Sequence, residues 1–160
     1  MSPAQDIDTR GLPVNHHCTV IELDGIGIAI EGHSGSGKTS LAFGLIEAAK
    51  RRNMVAHFVC DDQALLEAQS GELVAYAPEI IAGKAELRGF GIIEVDYKPQ
   101  TKLRLLARLT GTVTRMPEQR QAILSGVPLP LIELPERHES QSIRIVLAWL
   151  EANRGAFRTT

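Results

Sequence analysis

The chain has 160 residues, 44% of them hydrophobic and 22% charged, enough for one domain with a buried core and ordinary for a globular protein. Its formal net charge of −2 leaves no basic excess for contacting a phosphate backbone, which argues against a nucleic-acid partner. Two cysteines make neither a disulfide framework nor a metal spacing, and no apolar run reaches the roughly 20 residues of a membrane span. With no signal-peptide pattern at the start, the expectation is a cytoplasmic protein with no membrane partner.

Residues 1–12 are polar and aperiodic and read as a flexible lead-in; 13–155 read as a single domain and 156–160 as a flexible tail. Thr19–Leu23 and Ile26–Ile30 are short apolar runs around Asp24-Gly25, the strongest short hairpin signal. The second run leads straight into a glycine-rich loop. After that loop Leu41, Leu45, Ile46 and Ala49 recur at helical spacing, with Lys50, Arg51 and Arg52 in the last turn, where cations favour a helix C-terminus. Met54–Asp62 is a nearly continuous apolar run closed by two acids, as expected of a buried central strand. Glu72–Pro78 is a further strand candidate, and Ala85–Val95 reads as a loop leading into a strand at Gly91–Val95. Lys102–Leu109 is short and amphipathic or extended, and Pro117–Leu124 reads as a weak helix. Val127–Pro135 carries three prolines and is expected to be an edge strand or an extended segment. Glu139–Arg154 closes the chain as a helix with Ile143, Val146, Leu147 and Leu150 on one face.

The loop Gly32-His33-Ser34-Gly35-Ser36-Gly37-Lys38-Thr39 has the spacing of a phosphate cradle. Its glycines let successive N–H groups turn toward phosphate oxygens, and the helix that follows adds its positive end. Gly32, Ser34, Gly35, Ser36 and Gly37 are the cradle candidates; Lys38 would reach the β- and γ-phosphates, Thr39 would ligate magnesium, and Ser40 closes the set. An apolar strand before the loop and an amphipathic helix after it supply the context that a chance glycine-rich turn lacks.

Asp61 and Asp62 follow an apolar strand, the place of the magnesium partner in phosphate-loop proteins. One reading gives one of them to magnesium and the other to solvent or a helix cap. The other gives one of them the work of a general base. Residue types leave both open. In Glu86-Leu87-Arg88-Gly89-Phe90-Gly91, Glu86 could complete a magnesium shell and Arg88 could steady transferring charge; the alternative is an ordinary turn with a surface ion pair.

Together these segments, from His17 to about Ala148, resemble HPr kinase/phosphorylase, the bacterial family that phosphorylates a serine of the phosphocarrier protein HPr. The most specific part is Glu86–Val95, close to the family signature of Glu, Arg-Gly, a hydrophobic residue, Gly-Ile-Ile and an acidic or amide residue before Val. The loop and the paired aspartates are similar too, and His17 stands where the family has a histidine ahead of the loop. The resemblance implies an α/β fold: a phosphate-loop kinase domain with a central mixed sheet flanked by helices, phosphoenolpyruvate-carboxykinase-like, of the truncated proteobacterial form. It implies ATP and Mg2+, HPr or an HPr-like paralogue as partner, and a homo-oligomer, a hexamer in the family. It makes Asp61 the general base, with His17 close enough to tune it, and has Glu86, with Thr39, help hold magnesium; the residue types then leave Asp62 as a further magnesium ligand and Lys38 and Arg88 as the catalytic cations. Either of the adjacent His16 and His17 could instead be a simple strand-edge residue.

The chain departs from the family in two places. Thr39 and Ser40 stand where Ser and Glu usually follow the lysine, and the threonine keeps the hydroxyl. Where family members show Pro-Val-Arg-Pro-Gly-Arg-Asn, this chain has Pro135-Glu136-Arg137-His138-Glu139-Ser140-Gln141. Arg137 matches the first arginine and Ser140 replaces the second, so kinase activity is expected ahead of phosphorolysis. A small-molecule phosphate-loop kinase and a slow-turnover nucleotide-sensing module are the competing functions. The first usually needs an arginine-bearing lid, and Lys102–Arg115 is too apolar to be an obvious one.

Overall fold

The computed structural model describes residues 13–157, so the expected lead-in and the last three residues of the expected tail lie outside the described residues. In chain order the strands and helices are β1 (Val14–His16), β2 (Thr19–Leu23), β3 (Ile26–Glu31), α1 (Lys38–Arg51), β4 (Ala56–Cys60), β5 (Ala64–Gln69) and β6 (Glu72–Tyr76). There follow β7 (Lys84–Leu87), β8 (Gly91–Glu94), β9 (Gln100–Thr110), β10 (Arg120–Leu124), β11 (Val127–Pro135) and α2 (Glu139–Phe157). Among the described residues nine strands form one curled mixed sheet, and β7 and β8 form a hairpin of their own.

The sheet is organised by β9. On one edge it runs parallel to β3; on the other, Gln100–Lys102 pair with β6 and Leu106–Thr110 pair with β11. A strand with three neighbours splits the sheet, and the two halves curl apart. The expected short amphipathic piece at Lys102–Leu109 is therefore part of an 11-residue strand at the centre of the fold. Exposed Gln100 and Lys102 alternate with buried Thr101, Leu103 and Leu105, which is the period of a strand.

Both faces of β2 and β3 are covered, which is why they read as unbroken apolar runs. Ile21, Leu23, Ile28 and Ile30 pack beneath α1 and α2 with Leu41, Leu45, Val146, Leu147 and Leu150. Val20 and Ala29 face the opposite way, into a second cluster with Leu66, Leu73, Leu106 and Leu129. Each fully buried aliphatic side chain of this kind contributes about 1.5–3 kcal/mol. Of the predicted helical faces, Leu41, Leu45 and Ala49 of α1 and Val146, Leu147 and Leu150 of α2 are buried, while Ile46 and Ile143 are only partly buried against the same core.

Several elements differ from expectation. The apolar run ending in β4 is not central, because among the described residues β4 ends the strand order and β2 is the one strand that it pairs with. It is nevertheless buried, and its free edge is closed where Lys98 N donates to Phe58 O at 2.8 Å. Pro117–Leu124 contributes β10 rather than a helix; a Ser125-Gly126 turn with φ of 47° and 78° folds it onto β11, and tertiary pairing overrides weak helix propensity. β11 lies between β10 and β9, so it is not an edge. Pro128 and Pro130 fall in the half that has β10 as its only neighbour, and both point their nitrogens to the same side, leaving that ladder intact. The stretch before Gly91 is a strand, β7, rather than a loop. The helix α2 takes in Ala156 and Phe157, the first two residues of the expected tail.

Candidate active site

The loop between β3 and α1 sits at the end of the central strands. Gly37, at φ 101°, caps α1 in a conformation that side chains rarely adopt, and no side chain among the described residues caps the helix. The first-turn N–H groups are left to face an anion. Lys38 is buried, and its Nζ donates to Gly32 O at 3.0 Å and His33 O at 3.3 Å, which aims the ammonium across the loop. A Cβ on Gly32 would meet Ser36 Oγ at 2.5 Å, so the loop closes this tightly only with glycine there. Ser36 Oγ is itself buried without a hydrogen-bond partner among the described residues.

The two aspartates part company at β4's end. Asp61 is 8% exposed and accepts three hydrogen bonds: Thr39 Oγ1 at 2.7 Å and Thr19 Oγ1 at 3.0 Å on Oδ1, and Glu86 N at 2.9 Å on Oδ2. Asp62 takes φ 64°, which turns its carboxylate the other way, toward the mouth of the cleft. There it meets His17 Nε2 at 2.6 Å and lies 3.7 Å from Lys38 Nζ. His17 thus contacts Asp62, not the Asp61 that it was expected to tune. The neighbouring His16 points elsewhere, to Glu31 at 3.0 Å, so both histidines are partnered.

The cleft encloses about 270 Å3 and is lined by Lys38, Thr39, Asp61, Asp62, Glu86 and Arg88, with Ser34, Gly35, Gly37 and Ser40 along its loop side. Gly32 and Ser36 lie behind that surface. Arg88 comes from the tip of the β7–β8 hairpin, and its guanidinium leans over Gly35, 3.4 Å from where a Cβ would stand. The Ser40 hydroxyl donates to Glu139 of α2 at 3.4 Å, tying the loop's helix to the last helix.

These residues suit a nucleoside triphosphate with a divalent cation: an uncapped helix start, a buried ammonium, a hydroxyl beside a carboxylate, and an arginine with no ion pair among the described residues. No group of three or more His, Cys, Asp or Glu poised to hold a metal exists among the described residues. Thr39, Asp62 and Glu86 are spread around the cleft, as suits a magnesium ion that takes only one or two carboxylates and completes its shell with phosphates and water. Both thiols are free and buried; burial chiefly drives Cys18 far up and pushes Cys60 up to about 12, so neither serves as a nucleophile.

Four residues that shape the site escaped the sequence. Thr19 donates to Asp61 and accepts from Asp62 N at 3.1 Å, and its only sequence signal is a polar residue opening an apolar strand. Glu31 and Arg108 pair beneath the loop. Glu136 reaches His33 of the loop at 2.8 Å from within the segment that departs from the family pattern.

The family profile described as HPr Serine kinase C-terminal domain matches residues 12–146. The chain belongs to that family. Among curated relatives, the HPr kinase/phosphorylase of Clostridium beijerinckii is 38% identical over 79 residues, covering 49% of this chain and 24% of the relative. That of Chloroherpeton thalassium is 28% identical over 141 residues, covering 76% of this chain and 38% of the relative. The chain therefore spans well under half the length of these HPr kinase relatives. The solved structure of the Hpr(Ser) kinase/phosphatase from Coxiella burnetii superposes with a TM-score of 0.69 at 24% identity, covering 89% of this chain and 97% of that one, which shows the shared fold.

Proposed function

We propose that this chain is an ATP-dependent protein-serine kinase acting on HPr or an HPr-like paralogue. The observation that carries this reading is the meeting of Thr39, Asp61 and the Glu86 backbone at the phosphate loop, in a chain of the HPr serine kinase family. When bound, ATP with Mg2+ supplies the phosphoryl group and the cation that offsets its charge. Lys38 and the first-turn amides of α1 hold the phosphates, and Arg88 neutralises charge from the opposite wall. Thr39, Asp62 and Glu86 are the protein's ligands for the cation. Asp61 is the general base: its three donors fix the carboxylate, and Oδ2, with one partner, keeps an acceptor position for the serine proton. His17 holds Asp62 in place, so its effect on Asp61 passes through its neighbour. Positioning rather than strong proton abstraction carries the rate, as suits a loose phosphoryl-transfer transition state.

Glu136 favours the kinase direction over phosphorolysis. It places a carboxylate against the loop, in the segment where the family presents arginines to phosphate. A homo-oligomer, hexameric as in the family, and a cytoplasmic location complete the proposal; two unpaired thiols are in keeping with a reducing compartment. The test is incubation with ATP, Mg2+ and purified HPr, followed by detection of phosphoserine on HPr. Rapid phosphorylation of a metabolite with HPr unmodified would overturn the assignment. Tight ATP binding with neither product would mark a nucleotide-sensing module instead.

A further inference from the structure

Glu31 ends β3 immediately before Gly32, the first glycine of the loop. Its carboxylate is 15% exposed and held on both sides. His16 Nε2 meets Oε2 at 3.0 Å, and the Arg108 Nε–H donates to Oε1. Arg108 stands there because it is the register partner of Glu31 in the parallel β3–β9 pair. His16 arrives from the end of β1, three residues before the chain enters β2. One residue beyond Gly32, His33 is tied to Glu136 at 2.8 Å. The backbone is thus anchored on either side of Gly32, whose carbonyl receives Lys38.

A carboxylate one residue ahead of a phosphate-binding loop is a liability, since it repels the charge that the loop has to accept. Arg108 brings the cation that offsets this charge, and His16 adds a hydrogen bond to the other oxygen; the His16 bond and then the bond and charge of Arg108 hold the Glu31 carboxyl below its ordinary range. We infer that Glu31, Arg108 and His16 form an electrostatic clamp that sets the loop's affinity for a polyphosphate. Arg108 is its principal positioning residue, acting through Glu31. The inference rests on reading the cleft as a nucleotide site.

The test is calorimetric titration of the full chain with ATP and Mg2+, with thermal unfolding followed alongside. Arg108→Met leaves Glu31 charged with one partner fewer, and ATP affinity is expected to fall on the order of five- to tenfold. Glu31→Gln binds as well as wild type or better, and the Glu31→Gln/Arg108→Met double variant returns to within about twofold of wild type. The loss in Arg108→Met shrinks at about 0.5 M salt, whereas a loop that is merely loosened keeps its deficit. Should Arg108→Met not fold, Arg108→Lys, which keeps the charge, and the double variant carry the test, both binding ATP near the wild-type level. Arg108→Met binding ATP like wild type, or a double variant as weak as Arg108→Met, overturns the clamp. Wild type binding no ATP overturns the reading of the cleft, and the clamp with it.

Discussion

Thr19→Val is the sharpest probe of the site, because it removes one hydroxyl and almost nothing else. Thr19 is completely buried, and valine has nearly its shape. The hydroxyl donates to Asp61 Oδ1 at 3.0 Å and accepts from Asp62 N at 3.1 Å, so a single atom couples the two aspartates. In the valine variant Asp61 Oδ1 keeps Thr39 as a donor, but the Asp62 amide loses its partner. An orphaned, partly buried N–H costs about 1–3 kcal/mol, with about 2 kcal/mol a central figure. For a domain of this size that lowers Tm by about 4–8 °C. Asp62 is also held at φ 64°, and loss of its amide bond frees the carboxylate that faces His17 and Lys38. HPr phosphorylation is therefore expected to slow by about tenfold or more, as small misplacements do in reactions governed by positioning. Thermal unfolding and a single-turnover phosphoserine assay give the two readouts. Thr19→Ser restores the hydroxyl and is expected to recover the rate while giving up about 1 kcal/mol for the lost methyl. A Thr19→Val protein whose Tm lies within about 1 °C of wild type, with transfer unchanged, would refute the coupling.

Asp61→Asn is expected to abolish phosphoryl transfer while leaving ATP affinity nearly intact, and transfer at a near wild-type rate would remove Asp61 from the role of base. Lys38→Ala behaves in the opposite sense: nucleotide affinity falls in a binding titration, and unchanged affinity would contradict the cradle. Glu31 has its carboxyl lowered from 4.5 by His16 and then Arg108, so its stabilising contribution is present above pH 4.5 and is lost as pH falls through the lower folded value. The difference in Tm between wild type and Glu31→Gln should accordingly shrink in acid, and a difference that grows below pH 4.5 would reverse the sign assigned here. Cys18 and Cys60 are expected to resist a thiol-specific reagent at pH 8 until the chain is unfolded, as counted by absorbance; rapid native labelling would contradict their burial.

Local patterns made much of this molecule legible. The Asp24-Gly25 hairpin, the loop from Gly32 to Thr39 and the buried faces of both helices are written in spacing over a few residues, where propensity and periodicity act directly. The strands that went unread are those whose pairing is settled elsewhere in the chain. β10 looks helical in isolation and becomes a strand only because β11 is there to receive it. The Ser70-Gly71 turn joining β5 to β6 has nearly the same positive φ values as Asp24-Gly25, yet β5 carries Glu67 and Gln69 and alternates too weakly to stand out. β4 reads as central because it is buried, and burial from above and below is not the same as having neighbours on both edges.

By itself the sequence determined the chemical inventory: a glycine-rich loop with the spacing of a phosphate cradle, paired carboxylates after a strand, a glutamate and an arginine on a glycine-rich turn, and a resemblance to the HPr serine kinase family. Identity and spacing suffice there, because a loop of eight residues closes on itself and its glycines need no distant partner. Only the tertiary structure decided how those groups divide their work. Asp61 and Asp62 are adjacent and chemically identical, and the φ of 64° at Asp62 sends one to Thr39 and Thr19 and the other to His17. The Glu31–Arg108 pair likewise spans 77 positions of chain and exists only because β3 and β9 lie in register. Such contacts depend on hydrogen-bonded registers between strands far apart in the chain, and no window of neighbouring residues contains them.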